Sequence, residues 1–218
     1  MNAISAAGLV QRFGHRPALG PLDLSLAAGD RLAVLGDNGA GKTTLLRMLA
    51  TLARPAGGTL ELWGLDAVRR RDRVRPRLGY VGHQPGLTPM LTALENLEFF
   101  ATLHGLEREK AAEALELVGL ERSARVRAAE LSRGMQQRLA LARAVIHEPE
   151  LLVLDEPDAS LDAPGRHVLE RLVEDRTVVI ATHDWALARR LCPRGLLLRG
   201  GRDAGDPIGL SVIVAEEG

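Results

Sequence analysis

The consecutive residues Gly36-Asp37-Asn38-Gly39-Ala40-Gly41-Lys42-Thr43-Thr44 fit the pattern G-x-x-x-x-G-K-[ST]. Glycines let a backbone curl until successive N–H groups face a phosphate. A lysine at this position reaches the β- and γ-phosphates of a nucleotide, and the hydroxyl after it takes a place beside Mg²⁺. A plain glycine turn before a helix would share the glycines. Here, however, apolar Leu32–Leu35 precedes the loop, and Leu45, Leu46, Met48, Leu49 and Leu52 follow at helical spacing. That strand–loop–helix context is what a phosphate site requires. The loop Gly36, Asn38, Gly39, Ala40, Gly41, Lys42, Thr43 and Thr44 is predicted to hold nucleotide phosphates.

Two further stretches have chemistry of their own. Leu151-Leu152-Val153-Leu154 runs into Asp155-Glu156-Pro157. A strand ending there sets Asp155 near Mg²⁺, which accepts few carboxylates, and Glu156 beside an attacking water as general base. Two acids capping a helix would look the same if they stood alone; beside a phosphate loop the metal and water roles take precedence. Leu131-Ser132-Arg133-Gly134-Met135-Gln136-Gln137-Arg138 opens a helix rich in Leu and Ala. Its first N–H groups and its macrodipole favour an anion, although no lysine is near.

Short apolar strands are predicted at Leu32–Leu35, Thr59–Leu62, Leu78–Val81, Leu151–Leu154 and Thr177–Ala181. Amphipathic helices are predicted at Thr92–Leu103 and Glu107–Val118 and after Ser132. Strands alternating with helices imply parallel pairing in an α/β sheet. Residues 86–146 break that alternation with consecutive helices, so an inserted helical subdomain is expected there within a single domain 1–218. The chain has 218 residues, 46% of them hydrophobic, enough for one full core. Its formal net charge is zero, which argues against a nucleic-acid partner, and its one cysteine, Cys192, precludes an internal disulfide. No apolar run reaches membrane-spanning length, and no signal peptide is evident at the N-terminus, so a soluble chain is expected.

The phosphate loop, LSRGMQQR and LLVLDEP occur in that order, together with Gln84, Ser160-Leu161-Asp162 and His183. In this the chain resembles the nucleotide-binding subunits of ATP-binding cassette (ABC) transporters, over roughly Ile4 to Gly201. The resemblance implies a P-loop NTPase of the ABC ATPase type: a mainly parallel core, an N-terminal antiparallel β part and the helical insert. It implies that ATP and Mg²⁺ lie between two such subunits arranged head to tail, in all expectation a homodimer. One chain supplies Lys42, Thr43, Asp155 and Glu156; the other supplies Ser132 and Gly134 to the γ-phosphate. That accounts for an anion site without a lysine.

By the same resemblance Gln84 touches Mg²⁺ and the water, His183 contacts the γ-phosphate, and Asp162 communicates across the dimer. Phe13 matches the aromatic that stacks on adenine, usually tyrosine; a core phenylalanine at a strand end is the alternative. Arg133 and Met135 depart from the usual LSGGQ and are expected to face solvent and to pack, respectively. Integral membrane subunits are the implied partners. They would hold the cassette peripherally on the cytoplasmic face of the inner membrane and contact Pro85–Asn96, above all through Met90 and Leu91.

Val81-Gly82-His83-Gln84-Pro85-Gly86-Leu87 with Leu91-Thr92-Ala93-Leu94-Glu95-Asn96-Leu97 resembles the haem-export ATPases of cytochrome c maturation. Haem delivery is the expectation that follows, with drug or polysaccharide export and a soluble assembly-scaffold cassette as alternatives. His83 invites reading as a haem ligand, against a satisfied polar or packing role. Six arginines between Arg69 and Arg77 read either as a solvated face or as an anion-binding one.

Overall fold

The computed structural model describes residues 1–14 and 16–206. The expected domain 1–218 thus extends into 207–218, which lie outside the described residues. The chain opens with two long antiparallel strands, β1 (Asn2–Phe13) and β2 (Arg16–Ala27). Then come β3 (Arg31–Leu35), α1 (Lys42–Leu49), β4 (Gly57–Leu62), β5 (Leu65–Asp66), α2 (Arg71–Val74) and β6 (Leu78–Val81). Three helices follow: α3 (Ala93–Leu103), α4 (Glu109–Leu117) and α5 (Arg133–Val145). The described part ends with β7 (Leu151–Asp155), α6 (Ala163–Val173), β8 (Thr177–Ala181), α7 (Trp185–Leu191), β9 (Arg194–Arg199) and β10 (Arg202–Asp203).

Two sheets form. One is antiparallel, in the order β2-β1-β4-β5; the other runs β10-β9-β3-β8-β7-β6, parallel from β9 to β6. The expectation of parallel pairing therefore fails at Thr59–Leu62. Those residues lie in β4, antiparallel to β1, because the N-terminal hairpin offers it an edge.

Strand periodicity divides the core. Leu32, Val34, Leu151, Val153 and Val179 point to one face, toward α1 and the antiparallel sheet. Ala33, Leu35, Leu152, Leu154 and Ile180 point to the other, toward α5, α6 and α7. A third cluster lies among the helices: Ala93, Leu97 and Ala101 of α3, Ala111, Ala114 and Leu115 of α4, and Leu139, Ala142 and Ile146 on or just after α5. Helix α5 serves both, because Ala140, Leu141, Ala144 and Val145 belong to the sheet's cluster.

Local chemistry fixes the helix starts. Thr92 and Glu95 form a reciprocal capping box at α3, with Glu95 Oε2 accepting the Thr92 N–H at 2.8 Å. Asn96 is 1% exposed, and its amide reaches the Thr88 carbonyl at 3.1 Å and the Thr92 carbonyl at 2.9 Å, closing the loop before α3. Asn96 is thus a buried loop-former rather than part of a contact surface, which corrects the expectation for Pro85–Asn96. Ala93 is buried as well, and Leu87 and Leu94 pack against the helical cluster. Met90 stands out at 69% exposed.

The arginine run is divided by its neighbours. Arg77 lies 3.9 Å above the Trp63 ring and meets both Glu150 oxygens at 2.6 Å; Arg75 donates to Thr51 Oγ1 at 3.1 Å. Arg70 and Arg73 remain exposed.

The double burial of α5 makes it sensitive. Leu141→Ala, at a site 0% exposed, should lower the unfolding free energy by about 2–5 kcal/mol in urea titrations. Leu52→Ala, at a half-exposed site, should change it by no more than about 0.5 kcal/mol.

Candidate nucleotide site

In an open parallel sheet, ligands bind outside the carboxyl ends of the strands. Four loops leave that edge here: Gly36–Gly41 after β3, Thr182–Asp184 after β8, Glu156 onward after β7, and His83–Gln84 after β6. Because β3, β8, β7 and β6 are neighbours in this order, the four loops line up along one rim.

The phosphate loop needs glycine at two points. Gly36 has φ 142°, and a Cβ there would sit 2.4 Å from the Leu198 carbonyl oxygen. Gly41 has φ 102°, and its Cβ would meet the Ala18 carbonyl oxygen at 2.7 Å. Gly41 is also the N-cap of α1 and supplies no side-chain acceptor, so the first N–H groups of α1 open toward the loop. Lys42 is 5% exposed and donates to the Gly36 carbonyl at 2.7 Å and the Asp37 carbonyl at 3.1 Å. Burial lowers its pKa, while Glu156, Asp155 and Asp37 act to raise it.

The acid pair and the histidine complete a cluster. Glu156 has φ 52°, a strained conformation for a non-glycine residue, held by its N–H donating to the Ala181 carbonyl at 2.8 Å. Its Oε1 lies 2.8 Å from His183 Nε2, and its Oε2 lies 3.8 Å from His83 Nδ1. A carboxylate at 2.8 Å selects the His183 tautomer that carries its proton on Nε2. His183 Nε2 is also 3.4 Å from Lys42 Nζ. Lys42, Glu156 and His183 therefore meet within one chain, with Asp155 beside them.

Asp155 is 1% exposed, and neither of its oxygens has a well-formed hydrogen bond. Burial pushes its pKa up; the nearby Thr43 hydroxyl pulls the other way, and Glu156 adds to the rise. Two unsatisfied buried carboxylate oxygens beside a threonine hydroxyl fit a hard cation such as Mg²⁺. No group of three or more His, Cys, Asp or Glu side chains suited to a metal occurs among the described residues. The remaining ligands for such an ion would be phosphate oxygens and water.

Other predicted residues stand apart. Ser132 and Gly134 are at the start of α5, where the Ser132 hydroxyl accepts the Met135 N–H at 3.2 Å. Gly134 packs toward Ser160 and Asp162, not toward Lys42. Asp162 caps α6 through the Gly165 N–H at 2.9 Å and meets Arg138 at 3.4 Å. Arg133 is exposed, and Met135 packs on the helical cluster. Phe13 ends β1 and is 65% exposed, so the core reading of it fails; Ala18, on the paired strand, touches Gly41. Gln84 is exposed beside a groove of about 290 Å³ lined by Pro85, Leu87, Pro89, Ala129 and Gln136.

Sequence reasoning missed Arg143 on α5. Its guanidinium donates to the Tyr80 carbonyl at 2.6 Å and the Gly86 carbonyl at 3.0 Å, on either side of Gln84. The signal was an arginine inside the apolar stretch Leu141-Ala142-Arg143-Ala144-Val145.

The unpartnered Asp155 carboxylate carries a pH-dependent cost. Below the unfolded value of 3.8 it is protonated in both states and costs nothing. The penalty grows as pH rises above that value and is complete above the raised folded pKa. Asp155→Asn should therefore match wild type in acid and become the more stable chain at neutral pH, in urea unfolding of nucleotide-free protein.

The ABC transporter family model matches residues 19–159. The chain is 38% identical over 217 residues to the Nod factor export ATP-binding protein I of Burkholderia orbicola, covering 95% of this chain and 71% of the relative. It is 45% identical over 169 residues to the daunorubicin resistance ATP-binding protein DrrA3 of Streptomyces coeruleorubidus, covering 76% of this chain and 54% of that one. Its fold overlays the dimeric post-hydrolysis structure of the ATP-binding cassette MJ0796, bound to ADP and Pi, with TM-score 0.84 and 29% identity. That match covers 93% of this chain and 97% of the other. On the family match, the identities and the phosphate loop facing its acid pair, this chain belongs to the ABC transporter family, as an ATP-binding cassette of the P-loop α/β fold that hydrolyses ATP.

Proposed function

We propose that the chain is the ATPase motor of an export complex and works as a head-to-tail pair. The observation that carries this reading is the split of the site. Lys42, Thr43, Asp155, Glu156 and His183 gather at the sheet edge, while Ser132 and Gly134 open α5 elsewhere. A second copy brings its α5 N-terminus to the γ-phosphate. The first N–H groups of a helix lack partners within it and there meet negative charge.

In this reading Gly36, Asn38, Gly39, Ala40, Gly41 and Thr44 wrap the phosphates, and Lys42 moves from its loop carbonyls to the β- and γ-phosphates. Thr43, Asp155 and Gln84 hold Mg²⁺, which when bound neutralises phosphate charge. Glu156 accepts a proton from the attacking water, contributing about 10²–10⁴ in rate. His183 keeps Glu156 oriented and touches the γ-phosphate. Phe13 stacks on adenine with an accessible ring face, and Asp162 faces the partner chain.

Integral membrane subunits choose the cargo. Met90, Phe99 and Leu103 are exposed apolar residues in and beside the segment that follows Gln84, and they support that segment as the docking face. Among the described residues no helix is long and apolar enough to cross a membrane. Membrane contact is therefore proposed to run through partner subunits, on the cytoplasmic face of the inner membrane. The names of the relatives, Nod factor export and daunorubicin resistance, favour export as the direction. Haem delivery has less support. The passage that suggested it is accounted for by local structure, since Thr92 and Glu95 cap α3 and Asn96 closes its loop. His83 lies beside Glu156 in the ATPase site. Affinity purification from gently solubilised membranes tests the assignment. Co-purifying export permeases support it, a haem Soret band with cytochrome c maturation subunits would restore the haem reading, and a cytosolic scaffold alone would remove the transport role.

Glu156→Gln should allow ATP-dependent dimers while lowering turnover at least about a hundredfold; undiminished hydrolysis would take Glu156 out of the base role. Ser132→Arg should leave ATP binding by the monomer intact and abolish ATP-dependent dimers in size-exclusion chromatography. Normal dimers in that variant would contradict the shared site.

A further inference from the structure

Between the acid pair and α6, three side-chain bonds tie the segment Pro157–Asp162 to α5 and to the loop after β8. Gln137 of α5, 6% exposed, donates to the Pro157 carbonyl at 3.1 Å. Arg138 of the same helix reaches Asp162 Oδ2 at 3.4 Å. The third bond goes the other way: Asp158 Oδ2 lies 3.0 Å from Thr182 Oγ1, in the loop that carries His183.

The direction of that third bond follows from its surroundings. Thr182 is 0% exposed, and its oxygen accepts the Asp184 N–H at 3.0 Å. Its own proton is then free to go to Asp158, so the hydroxyl donates and the carboxylate accepts. Asp158 Oδ1 is buried with no hydrogen-bond partner. Burial pushes the Asp158 pKa up, and Asp184 and Glu156 add to the rise. Keeping a half-satisfied carboxyl among acids costs stability that an apolar residue of similar size would not. What the carboxyl provides in return is a fixed hydroxyl one residue before His183.

We infer that Asp158 is a positioning residue for His183: it anchors Thr182, and so ties the ring beside Glu156 to the segment that α5 holds at Pro157 and Asp162. Movement of α5 at the nucleotide interface then reaches His183 through one chain of hydrogen bonds. This rests on the reading of Glu156 and His183 proposed above.

The test is steady-state ATP hydrolysis by the full chain with Mg²⁺ for Asp158→Ala, Asp158→Asn, Thr182→Val, the Asp158→Ala/Thr182→Val pair and His183→Ala, with thermal melts alongside. Neither Asp158 nor Thr182 is placed on the phosphates, so the loss should fall on kcat. Each disruptive single variant should lower kcat about ten- to a hundredfold, as a small misplacement of a reacting group does. KM for ATP should change by less than about twofold. Asp158→Asn keeps an acceptor oxygen and should return kcat to within about threefold of wild type. The paired variant should be little worse than Thr182→Val alone, because that change already breaks the Asp158 bond, together with the one from the Asp184 N–H.

Wild-type kcat in Asp158→Ala, a loss confined to KM, or losses that multiply in the pair would overturn the inference. If Asp158→Ala does not fold, Thr182→Val, which exchanges a hydroxyl for a methyl of like shape, carries the same expectation. His183→Ala separates the two levels. Undiminished turnover there removes the reading of the site itself. Lost turnover there with Asp158→Ala unaffected removes the role of Asp158 alone.

Discussion

One helix has to satisfy two hydrophobic cores at once, and much of the structure depends on that. Along α5, Leu139 and Ala142 face the helical cluster while Ala140, Leu141, Ala144 and Val145 face the sheet. Such a helix has little solvent-facing surface to spare, and its polar side chains are drawn into specific bonds. Gln137 and Arg138 hold the segment after the acid pair, and Arg143 holds the loop around Gln84. Its first turn is left at the surface, with Ser132 and Arg133 exposed. The exposed first turn and the side chains that steady the chain's own site thus share one helix.

At the sheet edge the governing constraint is charge. A buried ammonium has to be solvated by something, and in Lys42 that role falls to two carbonyls of its own loop. Asp155 has the Thr43 hydroxyl nearby but no well-formed hydrogen bond to either oxygen. The two charges are therefore held differently: the ammonium is hydrogen-bonded within the protein, while the carboxylate oxygens are buried without such bonds. Under the proposed function, phosphate oxygens would take the lysine and Mg²⁺ would be the carboxylate's positive partner. The strained backbone at Glu156 fits the same picture, since such conformations persist where surrounding structure imposes them.

The features legible in the sequence are contiguous ones. The phosphate loop, the Asp155-Glu156 pair and the start of α5 each announce themselves within a few residues, because their chemistry is backbone curvature, a strand end and a helix cap. Leu78–Val81 and Thr177–Ala181 are strands with the bounds read from composition. The hairpin of β1 and β2 was not readable residue by residue; its pairing shifts register repeatedly, which blurs the period-two pattern. Asn96, Asp158 and Arg143 escaped because their partners are far along the chain or are main-chain carbonyls, which no side-chain pattern displays. Asn96 also shows how much of the passage from Leu91 to Leu97 is local structure: Thr92 and Glu95 cap α3, and Asn96 closes the loop before it.

The pair of bonds from Arg143 removes a freedom that the loop would otherwise have. With the Tyr80 and Gly86 carbonyls both bonded to Arg143, the backbone on either side of Gln84 is tied to α5. Gly86 is built into this arrangement, since a Cβ there would lie 2.4 Å from the Arg143 guanidinium. The loop that carries Gln84 and the helix shared by two cores are thus joined at two points, one before the glutamine and one after it. A shift of α5 would therefore bear on both ends of the loop that carries the exposed Gln84 side chain.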